Sequence, residues 1–195
     1  PSIAPEVARG VPTAVTIASK DADFAKKARD IFRTGRFRVY TNRDVVGVEL
    51  GGALKNIIAI AAGISDGLGF GANTKAAIVT RGLAEITRLG VKMGADPETF
   101  MGLSGLGDLV TTCVSLEGRN HRFGQEIGKG KKPRDLLRKS AAEIEGVWTS
   151  KAAFALGRKY KADLPITHQV YSVIFERKSP LSAVSELMAR EPKEE

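Results

Sequence analysis

Lys55, followed by Asn56, stands inside a long apolar stretch, Gly-Val-Glu-Leu-Gly-Gly-Ala-Leu-Lys-Asn-Ile-Ile-Ala-Ile-Ala-Ala-Gly-Ile over residues 47–64. An ammonium placed there is costly unless a carboxylate or a ligand compensates it. Burial also makes an amine easier to deprotonate, which suits it to give and take protons near neutrality. The plain alternative is a lysine lying along the helix edge and reaching water. Its neighbours favour chemistry. On a helix Gly51, Gly52, Lys55, Ala59, Ala62 and Gly63 share one face, and all but the lysine are small. Such a face admits either a close backbone or a ligand, while Leu50, Leu54, Ile57, Ile58 and Ile64 supply the core side.

A carboxylate able to serve that lysine is Asp108, which follows the glycine-rich Gly-Leu-Ser-Gly-Leu-Gly at 102–107. It can cap a helix, or it can hold and tune a buried ammonium, and the two roles are compatible. Arg119-Asn120 opens a helix after Gly118; a guanidinium fork and amide donors at a helix start suit a phosphate. A solvated arginine is the simpler reading of the same residue. Glu145, before Gly146, is either a helix-flanking acid or a ligand to a sugar hydroxyl, and the sequence leaves both open. Cys113 has no obvious histidine partner and reads as a packing residue. The basic run at 129–139 lacks interleaved aromatics and reads as a solvated face. Gly-Leu-Gly-Phe-Gly-Ala at 67–72 mimics a dinucleotide loop, but it follows a helix where a strand is required, so a helix-helix turn with positive φ is expected.

The elements that must position these residues fall into two groups. Residues 13–18 are β-branched and strand-like, Asp21 can cap a helix presenting Phe24, Ala25, Ala28, Ile31 and Phe32 and ended by Gly35, and residues 37–40 alternate as a second strand. This is the edge of an α/β sheet. Beyond Thr41 only helices are expected: 44–66, 73–93, a short one opened by Asp96-Pro97-Glu98, then 120–127, 133–139, 146–160, 166–177 and 181–190, with a frayed tail at 191–195. The opening Pro1-Ser2-Ile3-Ala4 leads into strand-like sequence, as in a chain cut from something longer. The expected fold is mainly α, a helical domain over 42–195 preceded by a β-α-β remnant over 1–41.

At 195 residues, 43% apolar and 27% charged, the chain suits one domain, or one domain plus part of another. Thirty Lys and Arg against 22 Asp and Glu give +8, which favours phosphorylated metabolites, nucleic acid or an anionic surface. A single cysteine excludes an internal disulfide framework and fits a reducing cytoplasm. Two separated histidines leave no metal cluster to expect. No secretory signal is evident, and Gly, Lys, Arg and Asp are expected to interrupt every apolar run before it reaches membrane-spanning length.

Taken together, Gly-Val-Glu-Leu-Gly-Gly-Ala-Leu-Lys55-Asn56, Gly-Leu-Gly-Phe-Gly-Ala-Asn73, Thr80-Arg-Gly-Leu-Ala-Glu85, Gly105-Leu-Gly-Asp108-Leu-Val-Thr-Thr112-Cys, Arg119-Asn120 and Glu145-Gly146 resemble NAD(P)-dependent glycerol-3-phosphate dehydrogenase of the bacterial type along essentially the whole chain. The resemblance implies that Lys55 is the acid/base for dihydroxyacetone phosphate and glycerol 3-phosphate, with Asn56 and Asp108 orienting it and the substrate hydroxyls. It implies substrate contacts from Thr112, Arg119 and Asn120, chiefly to phosphate, and cofactor contacts from Arg119, Glu145, Ser2 and Ala4. Gly118 stands where some relatives carry serine, so no side-chain contact is assigned there. The reading as a whole expects NAD or NADP, a cytoplasmic homodimer without a membrane span, no specific nucleic acid, and a supply of glycerol phosphate for phospholipid synthesis. The 1–41 segment then reads as the trailing edge of a Rossmann-type nucleotide domain. Because the family's glycine fingerprint and a second substrate-binding lysine precede the point where this chain begins, the chain alone is expected to be inactive. The alternatives are a related β-hydroxyacid or sugar-acid dehydrogenase, a basic helical module for nucleic acid, and a structural dimerisation domain.

Overall fold

Residues 4–8, expected to run into strand, form a helix instead, α1 (Ala4–Ala8). Pro5 falls in its first turn, where the missing N–H costs nothing, and Glu6 adds an acid at the same end. The structure, a computed structural model, describes residues 1–115, 118–140 and 142–192, so residues 193–195 of the tail expected to fray lie outside it.

Strand β1 (Thr13–Ala18) pairs in parallel with β2 (Phe37–Asn42), from Thr13 opposite Phe37 to Ala18 opposite Asn42. Backbone pairing carries β2 two residues past the alternating pattern that ends at Tyr40. The crossover α2 (Ala22–Phe32) starts as expected, with Asp21 accepting from the amides of Asp23 and Phe24. It ends at Phe32, before Gly35, where Arg33 turns extended.

Asp44 then caps α3 (Val45–Gly67): its carboxylate accepts from Gly47 N–H at 2.8 Å and from Asp96 N–H at 2.9 Å. Ile57, Ile58, Ala59, Ile60 and Ala62 are all buried, so the middle of α3 is covered on nearly every side, while Val46, Glu49 and Ala53 nearer its start are exposed. Around it stand α4 (Ala72–Lys92), α5 (Pro97–Met101), a π-helical turn (Leu103–Gly107), α6 (Asp108–Val114), α7 (Arg119–Gly128), α8 (Pro133–Lys139), α9 (Glu145–Lys159), α10 (Pro165–Phe175) and α11 (Pro180–Met188). The closest neighbours of α3 are α7, α4, α6 and α9. By length and composition alone α3 could cross a membrane, with a mean hydropathy of 1.6, which corrects the expectation that Gly, Lys, Arg and Asp break every such run. Here its apolar sides line the core.

Two features set how closely the helices approach. A Cβ on Gly63 would lie 2.0 Å from the His121 carbonyl oxygen, and one on Gly124 would lie 2.1 Å from that of Ile60, so α3 and α7 meet backbone to backbone. The turn after α3 carries Gly69 at φ +81°, the left-handed conformation expected of a helix-helix turn. At the far end of the domain, α10 has no cap from its own Leu164. Glu85 of α4 supplies it: the carboxylate accepts from Ile166 N–H at 2.5 Å and from Thr167 N–H and Oγ1 at 3.1 and 3.0 Å. Burial pushes the Glu85 carboxyl up to about 7, against the opposing pull of those donors and of Arg88.

Candidate active site

Lys55 lies in the third turn of α3, and its Nζ meets Asp108 Oδ2 at 2.5 Å. The glycine-rich stretch that precedes Asp108 makes this contact possible. It coils into the π-helical turn and lies against α3 so closely that a Cβ on Gly51 would come 2.4 Å from the Ser104 carbonyl oxygen. Asp108 becomes the first residue of α6, and Gly107 takes the cap position without a side-chain bond. Of the two roles open to Asp108, its carboxylate therefore takes ion pairing. The two side chains keep 20% and 17% of their surface, enough for a ligand to reach them, too little for water to surround them.

Thr112 stands one turn beyond Asp108 on α6, and its hydroxyl donates to the Asp108 carbonyl oxygen at 2.7 Å. With the proton so engaged, Thr112 presents acceptor lone pairs, which suit a substrate hydroxyl better than a phosphate oxygen. Cys113 is fully buried and burial pushes its thiol up to about 12, in keeping with packing.

A second set of residues converges one position further along α3. Asn56 Nδ2 donates to Glu145 Oε2 at 3.3 Å, and Asn56 Oδ1 accepts from Asn120 Nδ2 at 2.9 Å. Asn120 Oδ1 in turn accepts from Gly146 N–H at 2.9 Å, and Arg119 reaches Glu145 Oε1 at 3.4 Å and the Glu143 carbonyl oxygen at 3.1 Å. The starts of α7 and α9 are thus locked onto α3. The sequence places Asn56 next to Lys55, but its amide faces this second set. Asn120 is only 8% exposed, with its carbonyl and one N–H already engaged, while Arg119 and Glu145 are more than half exposed. Ser2 and Ala4 are exposed at the chain start, and the Pro1 nitrogen beside them lies 3.8 Å from Asp108 Oδ1.

Other participants carried no sequence signal. The Glu143 carbonyl and the Gly146 amide act through backbone atoms, which no residue type announces. Further along the lysine-bearing face of α3, Asp66 Oδ2 accepts from Lys75 Nζ at 2.8 Å and lies 2.8 Å from His121 Nε2. Burial raises the Asp66 carboxyl, but those partners outweigh it and hold it below the usual carboxylate range. In the basic run, Lys129 and Lys131 both pair with Glu126 at the surface. Among the described residues no group of His, Cys, Asp and Glu could hold a metal ion.

The family model described as NAD-dependent glycerol-3-phosphate dehydrogenase C-terminus matches residues 44–185. Curated relatives include the glycerol-3-phosphate dehydrogenase [NAD(P)+] of Thermoanaerobacter sp. (strain X514), 55% identical over 195 residues, covering 100% of this chain and 59% of that protein. The protein of the same name from Halalkalibacterium halodurans is also 55% identical over the whole chain, which spans 56% of its length. The crystal structure of glycerol-3-phosphate dehydrogenase from Coxiella burnetii superposes with a TM-score of 0.93 at 45% identity, over 97% of this chain and 58% of that one. A yeast glycerol-3-phosphate dehydrogenase structure gives 0.85 at 28% identity, over 97% and 57%. The chain therefore spans somewhat more than half the length of the proteins it matches, and through the helical region from Asp44 onward it belongs to the NAD-dependent glycerol-3-phosphate dehydrogenase family, of which it carries the C-terminal domain.

Proposed function

We propose that the protein containing this chain interconverts dihydroxyacetone phosphate and glycerol 3-phosphate, with Lys55 as the acid/base. The observation that carries this reading is the Lys55–Asp108 pair, 2.5 Å apart on a helix whose middle is buried in the core. In the reducing direction a hydride adds to the carbonyl carbon, the C=O electron pair moves to oxygen, and that oxygen takes a proton from Lys55 Nζ. Asp108 holds the ammonium on its line of approach and offsets its charge. Arg119 supplies a guanidinium for the substrate phosphate, and Asn120 fixes the helix start from which Arg119 projects. Asn56 joins Glu145 to Asn120 and so sets the distance between the two halves of the site.

Bound NAD(P)H supplies the hydride. The residues present fit a dinucleotide in one respect: Arg119 and Glu145, 3.4 Å apart and more than half exposed, offer a phosphate ligand and an acceptor for a sugar hydroxyl. Ser2 and Ala4, exposed beside the Pro1 nitrogen that lies 3.8 Å from Asp108 Oδ1, would add contacts to the dinucleotide. In this reading residues 1–41 belong to the nucleotide-binding domain and residues 42–195 to the substrate domain. A substrate screen with the full-length protein tests the assignment: a three-carbon ketone bearing phosphate is expected to be reduced, and a β-hydroxyacid or sugar acid to be ignored. Preference for the carboxylate substrates would overturn it.

A further inference from the structure

Alpha-helix α3 contains five glycines, and four of them are required by what they touch. A Cβ on Gly47, Gly51, Gly63 or Gly67 would come within 2.4 Å of a neighbouring oxygen. Gly52 is the exception: a Cβ there would meet nothing within 4 Å. A glycine in a helix interior is a poorer helix former than alanine, so its presence at an uncontacted position calls for a reason outside the packing of the described residues.

Its position supplies one. At 3.6 residues per turn, Gly52 falls on the arc of α3 between Lys55 and Asn56, one turn toward the sheet. On one side is the Lys55–Asp108 pair, and on the other the Asn56–Glu145–Arg119 set. The Asn56 amide also reaches back to the Gly52 carbonyl oxygen at 3.5 Å, which keeps that side chain off the space above the glycine. A small molecule engaging Lys55 at one end and Arg119 at the other must cross this arc.

We propose that Gly52 determines substrate specificity: it leaves the room through which the carbon chain of a small phosphorylated ketone passes between the Lys55 ammonium and the Arg119 guanidinium. The inference rests on the reading of the site given above. Gly52→Ala and Gly52→Val in the full-length protein test it. Alanine fits the helix, so the Tm of Gly52→Ala is expected to equal or exceed that of the parent. KM for dihydroxyacetone phosphate rises at least about 10-fold in Gly52→Ala and further in Gly52→Val, with the Kd for NADH within about twofold of the parent. Unchanged KM in both variants overturns the proposal. A raised Kd for NADH at constant KM assigns the space to the cofactor and overturns it equally. A Tm lowered by several degrees in Gly52→Ala assigns it to packing against the rest of the protein, with the same consequence. If the parent does not reduce dihydroxyacetone phosphate, it is the activity itself that fails, whereas an active parent with indifferent variants removes only the role of Gly52.

Discussion

Asp108 and Glu85 are both carboxylates gripped by donors at about 2.5 Å, yet their donors and surroundings differ. Asp108 faces the ammonium of Lys55, and both side chains keep about a fifth of their surface open. Glu85 is 3% exposed and accepts from the amides of Ile166 and Thr167 and from the Thr167 hydroxyl. A charged partner at an accessible edge can exchange a proton with an incoming ligand. Fixed amides in a sealed interior can only hold what they hold, and at Glu85 that is the start of α10. In the proposed reaction the same functional group would serve chemistry at Asp108, whereas at Glu85 it serves architecture, and access to solvent and the nature of the donor make the difference.

The comparison breaks most visibly at Lys55. Lys55→Met in the full-length protein is expected to lower kcat for dihydroxyacetone phosphate by about 10³-fold, with circular dichroism unchanged, because general acid catalysis is worth about 10²–10⁴. A loss under tenfold would remove Lys55 from proton transfer. Asp108→Asn keeps the shape of the side chain and removes its charge. The ammonium then lacks both its anchor and its counter-charge, so kcat is expected to fall by about 10²-fold while the Kd for NADH stays put. Equal losses in kcat and folding stability would make Asp108 a structural residue instead.

Glu85 should show the reverse pattern. Glu85→Gln places an amide N–H among donors, so stability falls by about 1–3 kcal/mol in urea titration while kcat per folded molecule is unchanged. The pH dependence sharpens the contrast. The folded carboxyl titrates at about 7 against an ordinary 4.5, so folding holds a proton that the unfolded chain has released between those values. Stability from this group is therefore complete below pH 4.5 and declines as pH rises to 7, by about 3 kcal/mol at about 1.4 kcal/mol per pH unit. Gln cannot titrate, so the slope disappears in the variant. A parent whose midpoint in urea is flat across that range would show that the amides outweigh burial at Glu85.

Several parts of this molecule could be read from its residues, for physical reasons that act over short distances. Helix starts at Asp21 and Asp96 follow from a side-chain oxygen within reach of free amides. The turn after α3 follows from glycine's freedom at positive φ. A charged residue in an apolar stretch marked Lys55 without any knowledge of its partner. Residues 4–8 form a helix where strand is expected, because Ala-Pro-Glu carries a helix-start signal in a segment too short for any periodicity to show. The glycine-rich stretch at 102–107 carries no periodicity that announces a π-helical turn, which lies pressed onto α3 at Gly51.

Local chemistry in the chain determined the helical character from Asp44 onward, the small-residue face of α3 and the identity of its misplaced ammonium. Tertiary structure alone decided that Asp108 pairs with Lys55 rather than capping α6, that Asn56 turns toward Asn120 and Glu145, and that Glu85 closes the start of α10. Each of those contacts joins residues more than fifty positions apart in sequence. Caps and turns depend on a few neighbouring dihedrals, whereas these partners meet only where the packing of separate helices against α3 brings them together.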